Sequence, residues 1–136
     1  GHAWEIKTNR PGCDVIKISS ETQLDTNIRS IDLVVVELGS CAGDSQGAFT
    51  LNSMVSGIQQ LLMPDYEARL IFDNLLFKAG YIVRSEYDVL NFVVRNVAIF
   101  SVCVGFPSVT PQCLPVGVSR VKYEIDLAEC ESLRIS

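Results

Sequence analysis

Residues 33 to 38 read Leu-Val-Val-Val-Glu-Leu, a near-continuous apolar and β-branched run. Such a run fits a strand covered on both faces, so the chain must supply neighbouring strands and something to pack above and below it. Trp4 to Thr8 alternates apolar with polar residues, Asn9-Arg10-Pro11-Gly12 is a turn by composition, and Cys13 to Ile18 is a second apolar stretch. Tyr81 to Val83 begins a further strand. From Leu90 to Phe106 the even positions are apolar apart from Asn96, the period of two that marks a long strand. A helix starting at Ser85 with Asp88 completing a capping box is the rival there, and the density of valine favours strand. Val121, Tyr123, Ile125 and Leu127 alternate with Lys122, Glu124 and Asp126, and a phase change predicts a bulge near Ser119.

Helical spacing is confined to residues 20 to 80. Ser20 followed by Gln23 has capping-box spacing, with Leu24, Ile28 and Ile31 on one face, which predicts a helix over 21–30. Leu51, Met54, Val55, Ile58, Leu61 and Leu62 predict an amphipathic helix over 50–62, ending before Pro64. Asp65 can cap another that runs to Lys78 and stops at Gly80. The expected fold is α+β: a mostly antiparallel sheet of about six strands packed on one side by two or three helices from residues 20–80. At 136 residues the chain is sized for a single globular domain, assigned to 4–132. Gly1-His2-Ala3 reads as a remnant added in cloning and 133–136 as a C-terminal tail.

Apolar residues make up 48% of the chain and charged ones only 20%, so polar cover is thin. The segment 65–78 is apolar nearly all round, which marks Leu70, Ile71, Phe72, Leu75, Leu76 and Phe77 as interface candidates for a homo-oligomer or another protein. The net charge is -5, and no Lys or Arg stands between Arg29 and Arg69 while Asp32, Glu37, Asp44, Asp65 and Glu67 accumulate. Net charge therefore argues against direct binding of nucleic acid or an anionic membrane. The apolar run from Val89 to Phe106 holds Asn91, Arg95 and Asn96 at its middle, so it reads as core and no transmembrane segment is expected. Five cysteines without a CxxC pair, and His2 as the sole histidine, give no metal-ligand spacing. Buried free cysteines in a reducing compartment and a Cys103-Cys113 disulfide fit the cysteine pattern equally, and the absence of an Asn-x-Ser/Thr sequon tips the expectation to an intracellular protein, with secretion as the alternative.

Residues 34 to 50, VVVELGSCAGDSQGAFT, carry two resemblances. The strand ending at Glu37 and followed by Gly39 and Gly43 resembles the first motif of S-adenosylmethionine-dependent methyltransferases, whose glycines let backbone approach the cofactor. That resemblance implies cofactor contacts at Glu37, Gly39 and Gly43. It covers about ten residues, and Cys41 stands where the central glycine belongs, so a Cβ would crowd the loop. CAGDSQG is similar to the segment around the nucleophile of trypsin-like proteases, which would make Ser45 the nucleophile. Gln46 replaces a glycine there, and the one imidazole that could serve as base is His2. A Cys41 nucleophile meets the same obstacle, and Asp65 with Glu67, Glu86 with Asp88, and Glu124 with Asp126 read as solvated pairs.

With no catalytic residue, cofactor or metal ligand assigned, the expected function is a non-catalytic protein-protein interaction or self-assembly module, a structural subunit of a viral or cellular assembly. The alternatives are a small transferase centred on Glu37, Gly39 and Gly43, and an apolar small-ligand carrier lined by Phe92, Phe100, Phe106 and Tyr123.

Overall fold

The computed structural model describes residues 1–136. The chain divides into two compact units, one formed by Gly1–Gly39 with Val94–Ser136 and the other by Ser40–Val93. Strand β1 (His2–Asn9) pairs in parallel with β3 (Ser30–Cys41), in the register Glu5 to Leu33 and Lys7 to Val35. Strand β4 (Asn91–Ser101) lies on the other side of β3. It runs antiparallel to β3, because the Val102 amide donates to the Ile31 carbonyl at one end while the Arg95 side chain lies over Gly39 at the other. Strands β2 (Val15–Ile18) and β5 (Tyr123–Asp126) form a separate antiparallel pair, Val15 opposite Asp126 and Ile18 opposite Tyr123.

The α+β class expected from the sequence is what the chain adopts, with five strands in two small sheets in place of about six in one. Tyr81 to Val83 is not a strand, and the Leu33–Leu38 run extends at both ends into twelve residues of β3. Leu33, Val34 and Val35 are buried, as a strand covered on both faces requires. Around Leu33 and Val35 the core gathers Ile16, Ile18, Leu24, Ile31, Ala98, Phe100, Val102, Phe106, Ile125 and Cys130. Ala98 and Phe100 are buried within β4, but the strand expected to run on to Phe106 stops at Ser101; beyond it Val102 and Phe106 are buried and Val104 is fully exposed.

The helix expected over 21–30 does not form. Residues 21–24 are a turn and the next residues are irregular, because short polar side chains offer the backbone local partners that compete with helix. Asp25 accepts from the Asn27 amide at 3.1 Å, and Gln23, placed to close a capping box, accepts from the Ser19 amide at 3.0 Å instead. Leu24 still reaches the core at 1% exposure, while Ile28 is 90% exposed. In place of a bulge near Ser119, Arg120 turns the chain at φ 58°, and its amide and that of Val121 donate to the Glu21 carboxylate at 3.0 and 3.1 Å.

The second unit holds both α-helices. Helix α1 (Leu51–Leu61) starts at Thr50, whose hydroxyl accepts from the Ser53 amide while the Ser53 hydroxyl accepts from the Thr50 amide, a reciprocal capping box. Helix α2 (Tyr66–Lys78) starts at Asp65, whose carboxylate accepts from the Ala68 amide at 3.0 Å. Gly80 follows it at φ 77°, a conformation other residues rarely adopt. Ser85–Asp88 forms a single 3-10 turn, and Asp88 accepts from Thr50 and Asn52. No helix is long and apolar enough to cross a membrane.

Candidate functional site

Successive side chains of a strand point to opposite faces, and β1 uses that alternation against the usual polarity. Trp4 and Ile6 are 65% and 58% exposed on the outer face, while Glu5 and Lys7 occupy the sheltered face beside Leu33 and Val35. Their side chains retain only 26% and 18% of their exposure. A charge taken from water needs partners, and both have them. The Lys7 ammonium lies 3.3 Å from the Glu5 carboxylate and donates to the Gln23 amide oxygen at 3.1 Å. That same oxygen accepts from the Ser19 amide, so the backbone before the turn at 21–24 fixes the amide that holds the lysine.

Glu5-Ile6-Lys7 is the one place where the chain reads Asp or Glu, any residue, then Lys. Further along the same face Asn9 stands level with Glu37 of β3. There a cavity of about 390 Å³ opens, rimmed by Asn9, Asp14, Glu37, Glu131 and Arg134 over a floor that includes Phe100. Asn9 donates to the Cys13 carbonyl at 2.8 Å, and Arg134 pairs with Glu131 at 3.5 Å. No group of three or more His, Cys, Asp or Glu side chains converges where a metal ion could be held. These residues thus do not by themselves build a metal centre, although Glu5 is a carboxylate of the kind that could serve as one ligand.

The residues singled out from the sequence are placed differently. Glu37 and Gly39 lie inside β3, which continues to Cys41, so no glycine loop opens after Glu37. Gly39 is buried beneath Arg95, where an added Cβ would meet the arginine Nε at 2.7 Å. Gly43 belongs to the second unit, beside the Asn91 side chain. Ser45 lies in a turn closed by its amide on the Ala42 carbonyl. The His2 ring is engaged by Ser30 at 2.8 Å and Asp32 at 3.0 Å, in a strand that begins within the segment assigned to cloning. On α2, Leu70, Ile71, Leu75 and Phe77 are between 48% and 82% exposed, and Phe72 and Leu76 are half-buried. All five cysteines are free; Cys130 is wholly buried, and burial pushes its thiol pKa up.

Residues 1–128 match the model of the family described as "Putative PD-(D/E)XK family member, (DUF4420)", and the chain belongs to that family. No curated protein and no solved structure matches it. Membership in a nuclease-like family points to catalysis and overturns the expectation of a non-catalytic interaction or self-assembly module, together with the transferase and carrier alternatives. Glu5-Ile6-Lys7 fits the (D/E)XK half of the motif in the family's name. The chain's one Pro-Asp pair, Pro64-Asp65, follows that triplet instead of preceding it, and Asp65 is the N-cap of α2.

Sequence reasoning passed over Glu5 and Lys7 because alternation reveals two faces without saying which is inside. Read alone, Trp4 and Ile6 claim the core side. The available signal was the spacing itself, an acid and a lysine two apart on a strand, which places both on one face.

Proposed function

We propose that Glu5 and Lys7 form the (D/E)XK portion of a nuclease-like, phosphodiester-hydrolysing site. The observation that carries this reading is their shared sheltered face, with the carboxylate 3.3 Å from the ammonium. Hydrolysis adds water across the bond: a water oxygen joins phosphorus, the bond to the leaving oxygen breaks, and charge develops on the non-bridging oxygens. A sheltered ammonium is suited to stabilising that charge, because partial exclusion of water strengthens its field. The carboxylate is suited to orienting the attacking water and accepting its proton. Gly1–Gly39 with Val94–Ser136 contains eight Lys and Arg against ten Asp and Glu, a net charge of -2, so overall charge offers a polyanion no attraction and positioning must come from individual contacts.

The test is cleavage of single-stranded and duplex DNA by the purified chain with Mg2+ in the buffer, comparing wild type with Glu5→Gln and Lys7→Met. Loss of one preorganised charge should lower the rate by about 100-fold or more. Absence of cleavage by wild type, or cleavage by both variants at the wild-type rate, would sink the reading.

A further inference from the structure

We infer that Gln23 is a positioning residue that holds the Lys7 ammonium in place beside Glu5, an inference that rests on the nuclease-like reading for its catalytic consequence. A lysine side chain has four rotatable bonds and loses considerable entropy when fixed, so one carboxylate neighbour at 3.3 Å leaves its ammonium free to swing about that contact. A second acceptor in another direction removes that freedom. Gln23 Oε1 is that acceptor, at 3.1 Å from Lys7 Nζ, and it is itself held by the Ser19 amide at 3.0 Å.

The segment carrying Gln23 is anchored on either side of it. Leu24 is buried in the core at 1% exposure, and Glu21 accepts from the amides of Arg120 and Val121. The turn therefore does for Lys7 what partners outside the reacting shell do for metal ligands: it fixes one donor direction before substrate arrives. Lys17, Lys78 and Lys122 are exposed, which leaves Lys7 as the one sheltered lysine of four.

Two variants and two readouts test this. Gln23→Met keeps the length and bulk of the side chain and removes the acceptor, whereas Gln23→Glu keeps an acceptor oxygen. Competitive acetylation with acetic anhydride, read by peptide mass spectrometry, reports how freely Lys7 reacts relative to Lys122 in the same molecule. Lys7 labelling is expected to rise several-fold in Gln23→Met and to stay at or fall below the wild-type level in Gln23→Glu, where a carboxylate favours the protonated and unreactive amine, with Lys17, Lys78 and Lys122 unchanged in both. Unchanged Lys7 labelling in Gln23→Met, or an equal rise in both variants, would overturn the proposal, since the second result reports loosened packing and not a lost acceptor. On DNA, Gln23→Met should lower kcat by ~10-fold or more while KM stays close to wild type. A wild type that cleaves nothing yet shows the labelling pattern removes the nuclease reading and leaves the clamp standing.

Discussion

At the scale of single residues, much of what this chain does depends on side chains placed against their own polarity. Tyr123 is half-buried, and its hydroxyl is buried without a hydrogen-bond partner in good geometry. Burial raises its pKa, with the Val109 backbone offsetting only part of that push. Replacing a hydroxyl whose hydration has been lost should be neutral or stabilising, so Tyr123→Phe is expected to melt at or above the wild-type temperature; a clear fall would show a bond that the geometry lacks. Leu33 is completely buried between neighbouring strands, and Leu33→Ala should cost about 2–5 kcal/mol in chemical denaturation. The same burial was legible in the sequence, because a run of six residues broken only by Glu37 has one economical place in a sheet. The sheltered charges of Glu5 and Lys7 were not, since their neighbours Trp4 and Ile6 are the residues a hydropathy reading sends inside.

At the scale of elements, side chains that bond to backbone decide where structure starts and where it fails. Thr50 and Ser53 cap α1 reciprocally, and Thr50 also donates to Asp88 at 2.9 Å. Thr50→Ala should destabilise by about 1 kcal/mol, measured as a shift in urea midpoint at constant slope. Asn52 and, second, Thr50 hold the Asp88 carboxyl below its ordinary range. Glu21 works at a turn: its own amide first, then those of Arg120 and Val121, lower its pKa from an ordinary value of 4.5. A carboxyl lowered in the folded state stabilises above its unfolded pKa, and that contribution vanishes as pH falls through the folded value. Glu21→Gln should therefore melt lower than wild type at pH 7, and the difference should close once the medium is more acidic than both values. A difference that persists unchanged in acid would show that charge is not its source. The Asp65 cap of α2 and the Gly80 stop were readable from spacing because each acts within four residues, whereas Thr50, expected inside the first helix, turned out to be its cap. The turn at 21–24 was not readable, because beside its local bonds it is fixed by Lys7, Arg120 and Val121, which only the tertiary fold brings to Gln23 and Glu21.

At the scale of the whole molecule, charge and connectivity set the terms. With a net charge of -5 and only 11 Lys and Arg in the chain, a nucleic-acid complex is expected to rest on few phosphate contacts. Raising salt from 50 to 200 mM should then weaken DNA binding, followed by fluorescence anisotropy, by less than about 10-fold, where six to ten phosphate contacts would give roughly 10³-fold or more. A steep dependence would mean a basic contact surface that the residue distribution does not supply. The α+β class was legible because it follows from periodicity; the split into a three-stranded and a two-stranded sheet was not, because strand partners are chosen by packing at long range. The pairing of Val15–Ile18 with Tyr123–Asp126 joins segments from opposite ends of the chain. Ile16 and Ile18 wait on Ile125 and Cys130 to complete their cluster. During synthesis, which proceeds from the N-terminus at about 5–20 residues per second, β2 must remain without its partner until the whole stretch from Ser19 to Lys122 and β5 itself have been made. For those seconds an apolar strand edge is exposed in the nascent chain, so the yield of soluble protein in the cell should depend more on chaperone supply during translation than on the stability of the finished fold.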